Sequence, residues 1–596
     1  MCRRLLIPCL LLALTLPALA GDLSVKQVWP EKLCYKPGET ATITVTVANA
    51  GGNAIADVSV DLAVIWGLDN RDRLPAQKVN VPANGEAKVA FSYPIPADRK
   101  WGHEAVASVG SVASVGGALS PDQLTGSGHE FFTVGANPWE VGHYLTLFNL
   151  RGAKANKQID DSMLPRFRNG YTTCLEAYSV LPSQFDGMTS DTETWRSGQG
   201  WYSEGKSDWQ YLVQRAHENG MAVVTYIQYF GYGPVGFDFA RRHPDWLTYD
   251  KTGRPNAWFD VDQLTNDRYE PESQPAHTPG GIVSGLFRPS EGIVGDYWID
   301  QCIKSSEMFG WDGFRSDGQP GLVEGYDSTG KLEPLPDPAA ANAAFMAKTR
   351  KVLGERRPGY LFGWNTCVFG YPMKISSEAE FDVIVPGSYC LYEFFNSAGE
   401  PSSVYHPWKK AAFYLQQECT PIRQRGGFSH AGWMPSNRYL EAVSSASGVQ
   451  IDGWPSPSAV NWPNYRRFEF RWGEYLWDCN LRYVRPAADA VKVAGPASVW
   501  WEDLVNARDL PGGGKRVVVN LINLPEKDDD GWADKPPAPA QNVKVTFATP
   551  AGKKLAAVVA MSPDVPGDVI PVTPAADGSV TIPRLAVWTV VVAEFK

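Results

Sequence analysis

The chain has 596 residues, too many for one hydrophobic core, and ordinary domain sizes divide it into about three to five units. Its 55 Lys and Arg against 65 Asp and Glu give a net charge of −10 with no basic block, which argues against nucleic acid as a partner. The 22 Trp, 24 Tyr and 25 Phe supply many flat rings, which fill cores and also stack on the apolar face of a pyranose.

Met1-Cys2-Arg3-Arg4 leads an apolar run to Leu19, and Ala18-Leu19-Ala20 before Gly21 matches the small-residue cleavage pattern of a secretory signal peptide. Residues 1–20 are therefore read as a removable signal. That run is too short to span a bilayer, and no later run reaches about 18 apolar residues. The mature chain is predicted to be exported, secreted or periplasmic, with no membrane span. Cys2 and Cys9 leave with the signal. The remaining Cys34, Cys174, Cys302, Cys367, Cys390, Cys419 and Cys479 are scattered without CxxC spacing and read as buried thiols, not as a metal site.

Residues 22–136 have an all-β texture. Ala41-Thr42-Ile43-Thr44-Val45-Thr46-Val47 and Val58-Ser59-Val60-Asp61-Leu62 alternate, and Pro37-Gly38 and Gly51-Gly52-Asn53 punctuate them. Short alternating strands over about a hundred residues predict an immunoglobulin-like β-sandwich. Residues 137–486 change to strands alternating with helices. Strands are predicted near 143–148, 172–178, 221–228, 309–318, 359–365, 381–385, 420–426 and 448–452. Eight such units with long loops after the strands predict a (β/α)8 TIM barrel. The loop after the third strand holds Tyr229, Tyr232, Trp246, Trp258, Phe259 and Asp260, a composition suited to a substrate wall. Residues 487–596 return to β and predict a C-terminal β-sandwich, with Asp528-Asp529-Asp530-Gly531 and a Pro-rich run as an exposed loop. No internal repeat and no long low-complexity tract is evident.

The chemistry concentrates in Phe309-Gly310-Trp311-Asp312-Gly313-Phe314-Arg315-Ser316-Asp317-Gly318. A strand alternates faces, so Trp311, Gly313, Arg315 and Asp317 are placed on one side and Phe314 on the other. A charged pair facing inward at the C-terminal end of a barrel strand is costly to bury, and catalysis is one reason to keep it. A structural ion pair at a strand end is the other reading. Glycoside hydrolysis needs two carboxylates. Asp317 is the first candidate and Glu393, set among aromatics in Tyr389-Cys390-Leu391-Tyr392-Glu393-Phe394, the second, with Glu176 and Glu324 as competing acids. Asp452, at the end of the eighth strand, can hydrogen-bond sugar hydroxyls, and Trp364-Asn365 at the end of the fifth are placed at the same mouth. Neither ligand-spaced Cys and His nor a Gly-rich phosphate loop is present, which predicts no metal or organic cofactor.

Gly310-Trp311-Asp312-Gly313-Phe314-Arg315-Ser316-Asp317 is similar to the strand-four motif of glycoside hydrolase family 66, the dextranases and cycloisomaltooligosaccharide glucanotransferases. The layout resembles that family too: signal, immunoglobulin-like domain, barrel, C-terminal β domain. So do Tyr439-Leu440-Glu441-Ala442 through Gly448-Val449-Gln450-Ile451, and Val519-Asn520-Leu521-Ile522-Asn523 with the later Trp532. The resemblance implies a retaining enzyme on α-1,6-glucan, with Asp317 as nucleophile and Glu393 as acid/base; the strand-end and loop positions themselves place Arg315, Tyr229, Trp258, Asp260, Trp364, Asn365 and Asp452 around a poly- or oligosaccharide substrate. Gly313-Phe314-Arg315-Ser316-Asp317 also resembles the α-amylase motif, but His430 in Phe428-Ser429-His430-Ala431 does not supply that family's Asn-His-Asp. A catalytically inactive carbohydrate-binding barrel is the reading from a different class.

Overall fold

The computed structural model describes residues 22–109, 126–147, 150, 155–197, 203–229, 233–254, 292–317, 325–334, 337–368, 377–393, 407–432, 437–451 and 462–596. The signal-type segment 1–20 lies outside them. Eight strands pair in parallel in chain order: His143–Leu147, Thr172–Ala177, Ala222–Ile227, Gly313–Ser316, Leu361–Val368, Tyr389–Glu393, Phe428–Gly432 and Gln450–Ile451. The first and last lie side by side, so the sheet is nearly closed. The third shows how such a strand arises. The helix Lys206–Glu218 stops at Gly220, whose φ of +72° suits glycine, and Ala-Val-Val-Thr-Tyr-Ile follows as a β-branched run fit for burial on both faces.

Alternation then sorts the side chains. Tyr144, Cys174, Val224, Leu361, Tyr389, Leu391 and Phe428 gather with Trp139 in one cluster inside the barrel. Leu145, Leu175, Val223, Phe314, Phe362 and Trp364 face outward into the larger core beneath the helices. Trp311 belongs to that outer core, stacked on Phe309 at 5.1 Å and edge-on to Trp209. It does not share a face with Arg315, because it precedes the strand and its backbone has not yet taken up the alternation.

Two strands differ from the sequence reading. Residues 381–385 lie largely within the helix Glu378–Ile384, started by a reciprocal cap between Ser377 and Glu380, and the sixth strand is Tyr389–Glu393. A short apolar run does not by itself separate strand from buried helix, and the Ser-x-x-Glu cap decides it. Residues 420–426 finish the helix Trp408–Gln424, and Phe428–Gly432 is the seventh strand.

Before the barrel, Leu23–Pro30, Thr40–Asn49 and Gly85–Pro94 form one antiparallel sheet facing a second, six-stranded one. Ile43, Val45, Val60, Leu62, Phe91 and Phe132 fill the space between them. After the barrel, a seven-stranded sheet centred on Lys515–Asn523 and Trp588–Phe595 packs against three strands across Val519, Leu521, Val543, Val545 and Ile582. That larger sheet also takes in Arg482–Tyr483, before residue 487. Asp528–Trp532 is a short helix, not an open loop, and its Trp532 stacks on Trp408 of the barrel at 4.1 Å. Buried arginines join the units. Arg168 donates to the carbonyls of Pro30 and Glu31, and Arg471 to those of Gly102 and Gly67. Gly102 must be glycine there, because a Cβ would lie 2.3 Å from the Arg471 carbonyl oxygen. Among the described residues, no helix is long and apolar enough to cross a membrane.

An internal repeat, absent from the sequence reading, emerges at the rim. Tyr249-Asp250-Lys251-Thr252-Gly253-Arg254 follows the third strand and Tyr326-Asp327-Ser328-Thr329-Gly330-Lys331 the fourth. Asp250 Oδ1 accepts from Thr252 N, Thr252 Oγ1 and Arg254 N at 2.8, 2.6 and 3.0 Å. Asp327 Oδ1 accepts from Thr329 N, Thr329 Oγ1 and Lys331 N at the same three distances, 2.8, 2.6 and 3.0 Å. The two turns meet face to face: Tyr249 and Tyr326 exchange backbone hydrogen bonds of 3.1 and 3.2 Å. Gly253 and Gly330 abut, with φ of +77° and +78°. Thus the rim loops of strands three and four are clasped. A Gly330→Val change would strain that φ and press Cβ to 2.8 Å from the Lys251 carbonyl oxygen. Its cost, about 1–3 kcal/mol, should open the clasp and speed hydrogen exchange at the Tyr249 and Tyr326 amides by about tenfold or more. Exchange measured by mass spectrometry checks this.

Candidate active site

At the C-terminal end of the fourth strand the backbone N–H of Asp317 donates to the Ile227 carbonyl at 2.9 Å, continuing the ladder with strand three. Its carboxylate is fixed from both sides. Oδ2 accepts from the Tyr226 hydroxyl at 2.6 Å and from Gln228 Nε2 at 3.1 Å, while the same Gln228 nitrogen donates to Tyr226 Oη at 2.7 Å. Oδ1 accepts from Asn365 Nδ2 at 2.6 Å and lies 3.4 Å from Arg315 Nη1. Tyr226 and Gln228 project from the third strand and Asn365 from the fifth, so three neighbouring strands converge on one carboxylate. Those donors favour its ionised form.

Arg315 runs beneath, across the barrel. Its Nε stands 2.9 Å from Glu176 Oε1 on the second strand, and Thr146 Oγ1 of the first donates to Glu176 Oε2 at 3.1 Å. The guanidinium lies 4.8 Å from the Tyr226 ring centroid and 5.8 Å from that of Tyr178, both within cation–π range. Gly363 makes room for it: a Cβ there would come within 3.0 Å of Arg315 Cγ. Exposure separates the carboxylates. The Glu176 side chain is 0% exposed and that of Asp317 25%, so only Asp317 is presented at the mouth. Burial works against the Arg315 charge, but Glu176 and Asp317 outweigh it and hold the guanidinium protonated well above its ordinary value. Below this layer, Tyr144 stacks on Tyr389 at 4.4 Å and Tyr389 meets His430 at 4.1 Å. Burial drives that imidazole down to about 3.

Arg315, Asp317 and Asn365 are thus brought together as the sequence predicts. Trp364 points the other way, edge-on to Phe314 in the outer core, since two consecutive strand residues do not face one mouth. Tyr229 is likewise buried, stacked at 4.7 Å on Trp298 of the helix Gly292–Phe309. Glu176 is no competing acid at the mouth but the sealed partner of Arg315. Trp258, Asp260, Glu324 and Asp452 lie outside the described residues. Glu393 closes the sixth strand, its backbone paired with Val368 and Gly432, and its side chain is outside the described set. Sequence reasoning missed Tyr226, Gln228 and Thr146. The signal was available in Val224-Thr225-Tyr226-Ile227-Gln228, where the inward positions turn polar toward the strand's C-terminal end. Among the described residues, no group of three or more His, Cys, Asp or Glu is placed to hold a metal ion.

A barrel with β-sheet units at both ends and a donor-clamped carboxylate at the mouth of strand four is the class that this chain defines. No family model matches the sequence, and no curated protein does. Its fold is similar to that of the cycloisomaltooligosaccharide glucanotransferase of a Paenibacillus species, solved with cycloisomaltoheptaose. The TM-score is 0.69 at 13% identity over 96% of this chain and 99% of that one. The resemblance to glycoside hydrolase family 66 drawn from the strand-four motif therefore extends to the whole fold. Two further solved structures match at lower TM-scores. The maltogenic α-amylase AmyB of Thermotoga neapolitana has a TM-score of 0.42 at 13% identity, over 76% of this chain and 99% of that one. The α-galactosidase of Lactobacillus brevis has 0.37 at 11% identity, over 93% and 78%.

Removing the Arg315 side chain should leave Glu176 as an uncompensated buried charge. Arg315→Ala is expected to cost about 3–5 kcal/mol of stability, with part of that recovered when Glu176→Gln is added. Denaturant unfolding of the single and double variants checks this.

Proposed function

We propose that the chain is an exported, retaining glycoside hydrolase acting on α-glucan of the α-1,6-linked, dextran type. What carries this reading is the Asp317 carboxylate, open at the barrel mouth and clamped on both oxygens, on a fold shared with an enzyme solved with cycloisomaltoheptaose. In this reading Asp317 attacks the anomeric carbon as nucleophile. Glu393, of the same strand parity as the inward Tyr389 and Leu391, protonates the departing glycosidic oxygen. Glu393 then deprotonates the water, or sugar hydroxyl, that cleaves the glycosyl-enzyme. Two inversions return the original anomeric configuration, and an incoming sugar hydroxyl in place of water gives transglycosylation. Asp452, Trp258 and Asp260 are proposed to contact the sugar. The two sheets of residues 22–136 are proposed to be an immunoglobulin-like sandwich, and residues 487–596 a β-sandwich that braces the barrel. Export rests on the signal-type segment 1–20.

The two carboxylates separate by experiment. Asp317→Ala should abolish cleavage of every glucoside. Glu393→Ala should still release an activated aryl leaving group in the first step, and azide should rescue its turnover to a glycosyl azide of the substrate's own configuration. Product analysis by NMR reads this outcome. An azide product of inverted configuration removes Glu393 as acid/base, and full activity in Asp317→Ala removes the whole assignment.

A further inference from the structure

The Arg315 guanidinium serves two carboxylates unequally. Its Nε lies 2.9 Å from Glu176, and its Nη1 lies 3.4 Å from Asp317. Glu176 has no water to turn to, being fully buried, and it is anchored on its far oxygen by Thr146. It therefore takes the closer share of the cation. Asp317, one-quarter exposed and already holding Tyr226, Gln228 and Asn365, takes the looser share. We propose that Glu176 is a positioning residue for the reaction: Arg315 keeps the nucleophile ionised, and Glu176, by holding Arg315 back from Asp317, keeps that charge from being over-stabilised.

The physical need is plain. A guanidinium drawn fully onto Asp317 would lower the proton affinity of the carboxylate, and a weaker base is a weaker nucleophile. With no cation near, Asp317 would accept a proton too readily. A second carboxylate behind the guanidinium sets an intermediate balance. Gly363 is part of the device, since a side chain there would press on Arg315 Cβ and Cγ. The surrounding ionisable groups leave that balance to Arg315, Asp317 and Glu176, whose carboxyl is raised by burial against the opposing pull of the Arg315 cation and the Thr146 hydroxyl. Tyr144 from strand one, Tyr178 beyond strand two, Tyr226 from strand three, Tyr389 from strand six and His430 from strand seven face this layer or its floor. Burial pushes the Tyr178 hydroxyl above its ordinary range and the His430 ring down to about 3, so neither is charged near neutrality. Among the described residues, the charged groups paired with the guanidinium are Glu176 and Asp317.

This inference rests on Asp317 as nucleophile, and it is tested by a pH profile. For an activated aryl α-glucoside, whose leaving group needs no proton, the acidic limb of kcat/KM reports the nucleophile. Glu176→Gln removes the competing charge while keeping the shape. The limb is expected to move down by about one pH unit, and the plateau of kcat to fall about three- to tenfold. KM should change less than kcat, because Glu176 does not reach the mouth. Glu176→Asp, which draws the charge back by one methylene, should shift the limb the same way by less than half as much. It serves as the test if the Gln variant does not fold. A limb that stays at its wild-type position in a folded variant overturns the proposal and leaves Glu176 a structural ion-pair partner. Infrared difference titration of ¹³C-aspartate protein, with Asp317 assigned by loss of its band in Asp317→Asn, reads the same shift without turnover. A shifted band in a chain whose Asp317→Ala variant stays active keeps the charge balance and removes Asp317 as nucleophile. An unshifted band beside an inactive Asp317→Ala does the reverse.

Discussion

One guanidinium inside the barrel holds the site together. Placing Glu176, Arg315 and Asp317 in the lumen is tolerable only because the charges compensate one another and the remaining oxygens find donors in Thr146, Tyr226, Gln228 and Asn365. Each of those donors comes from a different position on strands one, three and five, so the compensation presupposes a barrel already in register. The absence of a Cβ at Gly363 leaves the Arg315 stem its room, since a Cβ there would stand 3.0 Å from Cγ. A lumen filled with apolar side chains would be as stable or more so. The charges are kept because they present one carboxylate, and only one of the pair, to the mouth.

The rest of the chain makes that register rigid. The aromatic floor of Tyr144, Tyr389 and His430 fills the barrel below the charged layer. Outside, Arg168 and Arg471 carry the barrel helices onto the N-terminal sheets, and the Trp408–Trp532 stack carries the helix after strand six onto the C-terminal unit. Buried arginines suit such junctions, since a planar fork satisfies several carbonyls at once. At the rim, the paired Asp-x-Thr-Gly turns tie the loop after strand three to the loop after strand four, the strands that supply Tyr226, Gln228 and Asp317. Functional side chains thus stand at strand ends on a scaffold braced from three directions.

At 13% identity the chain retains an end-to-end likeness of fold to a solved glucanotransferase, which is possible because a barrel of this kind asks little of most positions. It requires apolar residues at the right parity, glycines where helices end with positive φ or where backbones touch, and a few charged positions whose neighbours are specified together. The stretch from Gly310 to Asp317 meets all three demands within eight residues: a left-handed Gly310 at φ +85°, Gly313 against the Leu361 backbone, Phe314 outward and Arg315 inward.

The sequence alone therefore determined what is local. Period-two alternation marked the flanking β units, helices ending in glycine before buried runs marked the barrel, and Arg315-x-Asp317 put two charges on one face of a strand. The tertiary structure decided what depends on partners distant in the chain. It moved the sixth strand to Tyr389–Glu393 and the seventh to Phe428–Gly432, because an apolar run becomes strand or buried helix according to what packs on it. It sent Trp364 and Tyr229 into the outer core and left Asn365 on the carboxylate, because facing is set by register across strands. It turned Glu176 from a competing acid into the buried counterweight of Arg315. The cost of burying a charge depends on every neighbour that the folded chain brings to it, and no stretch of sequence carries that sum.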